Sequence, residues 1–462
     1  MKKIAFIPID NRPVCYTLAE QIAGIDSDLK LLLPDRCLLG DLTKQADIEA
    51  LFDWLESVSN VDAIILPLDT LAYGGLIPSR RSTDTYEKIS TRLEKLKSIL
   101  KYKNAKIYAF SSIMRISNNN INEEEKEYWN IYGEKLFKYS FETHKNGVSQ
   151  TDVPQEIIDD YLSTRKRNFD INSLYLEWVQ EGFFERLVFS KDDCSEYGLN
   201  VQEAQKLEQK INENKLNALV KTGADEIPLS LLSAAIISMS GKKITIAPLF
   251  LNPDSVDLIS KYEDVSVYDS VKGQIELAGA EYSDDTDSAD ILLIVNNFDK
   301  EQGELVMGID TEGYYGEFAA PDSPYIIADI LNANGADNYF VKEILENVPD
   351  DNFLGYAGWN TTGNTLGSAL CCGIIKYLAQ NCDSDKFKKV QTVRFLDDWA
   401  YQANVRKFLK ENYKEPDISA LENEMWEYEK RIQKYLQTEV YTIKYSYPWN
   451  RFFEIEIIIT NC

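Results

Sequence analysis

Carboxylates, arginines and amides recur in this chain directly after short apolar runs. The first cluster is Pro8-Ile9-Asp10-Asn11-Arg12-Pro13. Asp10, Asn11 and Arg12 together offer a base or ligand, an amide clamp and a fixed cation; a plain turn is the competing reading. The second cluster places Asp69 at the end of an apolar run, then Tyr73-Gly74-Gly75 and Ser79-Arg80-Arg81. Its paired glycines permit positive φ and close approach of backbone to a ligand. Arg115 follows Ser111-Ser112-Ile113-Met114, and Asp192-Asp193 follows Phe189-Ser190-Lys191. Adjacent aspartates at a strand end can divide labour, one facing a site and one orienting it, and they also suit a divalent cation. A solvated acidic turn is their rival reading. Gly223-Ala224-Asp225-Glu226 precedes an apolar helix. There Asp225 is expected to cap the helix, while Glu226 stays open as a substrate contact.

Gly358-Trp359-Asn360-Thr361-Thr362-Gly363-Asn364-Thr365 imitates a phosphate loop, but Asn364 stands where the lysine should be. Without that charge the β/γ-phosphates lose their main clamp. Trp359 offers a flat apolar face, and Asn360 and Asn364 offer paired donors and acceptors, a set suited to a sugar or an amide. Arg394 to Gln402 lies in a predicted helix, where Asp397 reads as a structural partner of Arg394.

Composition removes other chemistries. The 462 residues carry a net charge of −26, which disfavours nucleic acid and anionic membranes. The expected partner is therefore small, polar or sugar-like. The single histidine, His144, lies in a polar segment that reads as a solvated loop, so His-ligated zinc is excluded and a serine triad would depend on it alone. Seven cysteines include no Cys-x-x-Cys pair, which fits reduced thiols. Residues 4–9 are too short for a signal peptide, and no run reaches membrane-spanning length; a cytoplasmic location is expected. Acid–base work falls to carboxylates, tyrosines, lysines or cysteines.

These clusters need strands to position them. Apolar runs at Ile4–Ile9, Lys30–Leu33, Ala63–Leu68, Lys106–Phe110, Arg186–Phe189, Ile244–Ala247, Ile291–Val295 and Phe353–Tyr356 predict strands. Helical spacing fills Tyr86–Lys101, Ala204–Thr222 and Leu229–Met239. The alternation predicts an α/β protein with parallel strands, preferably a (β/α)₈-like barrel, with two doubly wound parallel-sheet domains as the alternative. Residues 1–383 form the expected catalytic-type domain, with a helical insertion near 118–167. Residues 384–462 form a C-terminal extension, helical and then β-rich around Pro448-Trp449-Asn450. No internal repeat is evident.

Taken together, Pro8–Pro13, Leu71–Arg80, Asp192–Gly198, Gly223–Glu226 and Gly358–Gly367 resemble the motifs of a bacterial family catalogued as a domain of unknown function. The resemblance spans nearly the whole chain and carries no reaction with it. A fainter similarity is to barrel glycosidases acting on N-acetylhexosamines. There too adjacent aspartates close a central strand and a Trp/Asn-rich loop follows, as Asp192-Asp193 and Trp359-Asn360 do here. The expectation is a carbohydrate-active hydrolase without a cofactor. Asp193 would act as acid, and Asp192, Asp69 or Asp10 as base, nucleophile or orienter. Asn11, Arg12, Tyr73, Arg80, Arg115, Glu226, Trp359, Asn360 and Asn364 would bind substrate. A metal-dependent hydrolase or isomerase, with Mg²⁺ or Mn²⁺ on Asp10, Asp69 and Asp192, is one alternative. A binding protein for a small metabolite is the other.

Overall fold

Continuous apolar runs give continuously buried strands, the pattern of parallel sheets covered on both faces. The computed structural model describes residues 1–192, 194–347, 351–438 and 440–461. One sheet contains β1 (Lys2–Phe6), β2 (Leu29–Leu32), β3 (Ala63–Pro67), β4 (Lys106–Ile113), β5 (Arg186–Lys191) and β6 (Ala218–Thr222), in the order β2-β1-β3-β4-β5-β6. A second contains β7 (Thr245–Phe250), β8 (Glu281–Tyr282), β9 (Ile291–Asn296), β10 (Tyr325–Asp329) and β11 (Phe353–Ala357), in the order β8-β7-β9-β10-β11. Every pairing within these two sheets is parallel. A small antiparallel pair, β12 (Tyr441–Ser446) and β13 (Glu456–Asn461), ends the described chain.

The molecule is thus mixed α/β with two parallel sheets. These pairings fit the two-sheet alternative and do not show one closed barrel. The sheets share an ordering: in each, the first strand lies between the second and the third. In a doubly wound sheet the loops diverge at that reversal and leave a crevice at the carboxyl ends.

Two helices lie between the sheets. Ile227–Ser240 packs on β3 and β4, Thr362–Leu378 packs on β10 and β11, and the two pack on each other. Ile227–Ser240 is buried continuously from Ile227 to Ile237, so it is apolar all round, as a helix enclosed between layers must be. One hydrophobic cluster runs from Ile4 and Phe110 through these helices to Met425 and Ile457.

The insertion expected near 118–167 is helical from Trp129–Asn146 and Gln155–Gln180 and has its own core around Trp129, Leu136 and Tyr161. His144 lies on the first of these helices rather than in a solvated loop, and its Nδ1 accepts the Gly198 N–H at 3.1 Å. The predicted helix Ala204–Thr222 is corrected as well: the helix stops at Asn214 and β6 follows. Beyond residue 384, Phe395–Val405 winds as a π-helix and continues into the helix Arg406–Asn412. No helix among the described residues is long and apolar enough to cross a membrane. The six described cysteines are free thiols.

Candidate functional site

The carboxyl ends of both sheets face a cavity of about 560 Å³. The first sheet supplies Asp10 and Arg12 after β1, Arg80 after β3, Arg115 after β4, Asp192 after β5 and Asp225 after β6. The second supplies Glu263, Asn334, Asn360 and Asn364, and the C-terminal region adds Arg406, Lys410, Trp449 and Arg451. Seven sequence-predicted residues therefore meet on one surface: Asp10, Arg12, Arg80, Arg115, Asp192, Asn360 and Asn364. Asp193 lies outside the described residues.

Arg12 organises the floor. Its Nε and Nη2 bind Asp10, with Nη2–Oδ2 at 2.7 Å, and its two Nη atoms bind Asp225 at 3.0 and 2.7 Å. Planar bidentate geometry on two carboxylates is what arginine provides and lysine does not. Burial opposes the charge on Arg12, yet Asp10 and Asp225 hold the guanidinium protonated well above its usual range. Burial pushes the Asp225 carboxyl up, and Arg12 opposes that rise. The expectation of Asp225 as a helix cap is overturned. The helix begins with Glu226 at its cap position, no side chain makes a capping bond there, and Asp225 turns to Arg12 instead.

Trp449 closes the floor from the C-terminal side. Its Nε1 donates to Asn11 Oδ1 at 2.6 Å, and the guanidinium carbons of Arg12 and Arg451 lie 5.0 and 4.8 Å from its ring centroid. Asn11 thus positions the wall instead of lining it. Above the floor, Glu124 from the insertion enters an arginine cradle, 2.8 Å from Arg115, 3.1 Å from Arg451 and 3.4 Å from Arg80. Burial alone would raise its carboxyl, but Arg115, Arg80 and Arg451 hold it well below the carboxylate range. Asp192 is looser: Arg115 Nη1 stands 3.5 Å away and its side chain is 21% exposed.

Other expected contacts lie outside the cavity lining. Asp69 is buried, accepts the Ser112 N–H at 2.6 Å, and burial raises its carboxyl to about 7. Tyr73 is buried beneath Arg167, whose guanidinium carbon is 5.3 Å from the ring. Trp359 is 4% exposed and packs edge-on to Phe453, so it belongs to the core and is not a ring platform. Glu226 is fully buried under Gly223. It accepts from Ala224 N and Gln274 Nε2, both at 3.0 Å, and burial raises it to about 8, with Glu263 and Asp225 adding to the rise. A Cβ on Gly223 would lie 1.6 Å from Glu226 Oε1, at φ +124°. Gly223→Ala is therefore expected to lower stability by about 2–3 kcal/mol in urea unfolding, through overpacking and left-handed strain together.

The cation set Asp10, Asp69 and Asp192 is not brought together, because Asp69 faces Ser112 away from the cavity lining. Asp10, Cys15 and Asp225 do place ligand atoms within 4.8 Å of one another. Both carboxylates there already carry the Arg12 guanidinium, a donor set built around an organic cation.

Sequence reading missed Asp225, Glu263, Asn334, Arg406, Trp449 and Arg451. Pro448-Trp449-Asn450-Arg451 has the same residue types as the clusters after the strands, but it follows no long apolar run. Two amide oxygens at the cavity, Asn334 Oδ1 and Asn364 Oδ1, are buried and lack a hydrogen-bond partner among the described residues; such groups call for a donor from elsewhere.

No curated protein and no solved structure matches the chain. Residues 4–458 match the model of the family described as protein of unknown function (DUF4127), and the chain belongs to that family.

Proposed function

We propose that this protein is a carbohydrate-active hydrolase that uses carboxylates on a small, sugar-like substrate. One observation carries the reading: Asp10, Asp192 and Asp225 from one sheet and Asn334, Asn360 and Asn364 from the region of the other meet in a single cavity. Asp192 is the proposed acid or base, since Asp10 and Asp225 are both committed to Arg12. A partly exposed carboxylate with one loose partner can exchange a proton with water or a leaving oxygen. Trp449 lines the cavity where Trp359 does not, and the oxygens of Asn334 and Asn364, without a partner among the described residues, suit hydroxyl donors. Nothing in this chemistry requires a (β/α)₈ barrel.

The test is hydrolysis of a broad panel of aryl glycosides, N-acetylhexosaminides included. Wild type is expected to cleave at least one. Asp192→Asn is expected to lower kcat about a hundredfold or more, with substrate affinity changed far less. Asp193→Asn completes the comparison, and activity in EDTA separates this reaction from the metal-dependent one. No cleavage across the panel would sink the proposal, and thermal-shift binding without turnover would favour a metabolite-binding protein.

A further inference from the structure

Most buried arginines here are paired with acid. Arg12, Arg80, Arg165 and Arg394 each reach a carboxylate, as expected in a chain with 75 acidic and 49 basic side chains. Arg406 is different. It is 7% exposed, lines the cavity, and has no carboxylate at ion-pair distance among the described residues. Its Nη1 donates to the neutral Gln402 Oε1 at 2.9 Å, its Nε is buried without a partner among the described residues, and its guanidinium carbon lies 4.7 Å from the Phe453 ring centroid.

Lys410, one turn further along the same helix, lines the same cavity and is exposed. It too makes no ion pair among the described residues. The carboxylates whose fields reach Arg406 are already engaged. Glu454 is bound by Arg451 at 2.9 Å, and Glu304 accepts from Asn334 Nδ2 at 2.8 Å and from the Tyr262 hydroxyl at 3.2 Å. Burial disfavours the charge on both cations, and Arg406 adds to the effect on Lys410. A buried cation without a counter-ion is costly, and removing it from water is compensated only by a partner. The surrounding acids could have supplied one, yet the nearest are turned to other donors.

We propose that Arg406 and Lys410 form an anion-binding subsite of the cavity, taking a carboxylate or phosphate group carried by the ligand. The guanidinium fork matches either group in two-pronged geometry, and the ammonium adds a point charge at the mouth. Phe453 shields one side of Arg406 from water, which strengthens the pairing. The subsite is independent of the reaction performed beside it.

Isothermal titration of the full chain with inorganic phosphate and, separately, sodium acetate tests this, against sodium chloride at matched ionic strength. At least one anion is expected to bind wild type. The dissociation constant is expected to rise about tenfold or more in Arg406→Gln, and several-fold in Lys410→Gln. The preferred anion identifies the ligand's group as phosphate or carboxylate. Lys410 is exposed, so its variant decides the matter even where Arg406→Gln does not fold. Weakening in either folded variant supports the subsite. Binding no tighter than chloride in wild type, or unchanged in every variant that folds, overturns it.

Discussion

Arg12→Met is expected to destabilise the fold by about 3–5 kcal/mol at neutral pH, the range for breaking a buried charge pair by removing one partner. The loss exceeds that of a surface ion pair because Arg12 serves two buried carboxylates at once. Without it, Asp10 and Asp225 face each other with Cys15 alongside, and one carboxyl must take up a proton. A carboxyl whose folded-state pKa rises above its unfolded value contributes stability at low pH, and that contribution fades as pH climbs through the window between the two. The variant is therefore expected to fall further behind wild type as pH rises from 5 to 8. Urea unfolding at both ends of that range measures the gap. Arg12→Lys, which keeps the charge but not the bidentate geometry, is expected to fall between them. A loss below about 1 kcal/mol, the size of an exposed pair, would show that the bridge is not holding the floor.

Glu226→Gln is expected to have the opposite sign at high pH. The wild-type carboxyl is raised from its ordinary value of 4.5 to about 8. Between those values the folded protein keeps a proton that the unfolded chain has released, so stability declines across the window. At roughly 1.4 kcal/mol per pH unit, the decline is on the order of 5 kcal/mol from pH 4.5 to pH 8. A neutral amide removes this dependence. Its NH₂ meets one donor that the carboxylate accepted, Ala224 N–H or Gln274, so the variant is expected to start below wild type in acid and to gain on it steadily. Thermal unfolding across pH 4.5 to 9 measures the difference. Parallel curves would mean that Glu226 is already ionised in the fold. Asp225 and Glu263 both favour the protonated form, so their neutralising variants are expected to shift the window downward.

The two largest effects thus fall on two residues that the sequence points to as substrate contacts, one that lines the cavity and one that is buried outside its lining. Arg12 was legible because Asp-Asn-Arg directly follows a fully apolar strand, and strand ends in parallel sheets are where ligand loops converge. Glu226 stood in an equally suggestive cluster, but the chain turns it under Gly223 and presents its neighbour Asp225 instead. Which of two adjacent acids faces a cavity depends on a partner 213 residues away, and local spacing contains no trace of it. At Trp359 the pair Trp-Asn suggests an exposed edge, but Asn360 takes φ +66° and the indole is buried.

The elements show the same division. Strands such as Ala63–Pro67 are buried throughout and could be read directly. The edge strand β6 was lost because Leu216, Leu219 and Val220 continue the helical spacing of the preceding segment. The helix stops at Asn214, and the residue after it, Lys215, turns left-handed at φ +50° with no glycine to signal the stop. The matching strand order of the two sheets left no sequence repeat to detect, because topology constrains patterns of burial and not residue identities.

The hydrogen bond between Trp449 and Asn11 joins residues 438 positions apart. A contact of that span carries a high loop-closure cost, and topologies rich in such contacts fold slowly. The pairing of Arg12 with Asp10 and Asp225 needs only the first 225 residues, whereas Trp449 and the rest of the lining from residues 406 to 451 come from the other end of the chain. On refolding from denaturant, helical signal will therefore return before the cavity can hold anything. A bound ligand, and not the far-ultraviolet spectrum, will mark the moment when this chain has finished folding.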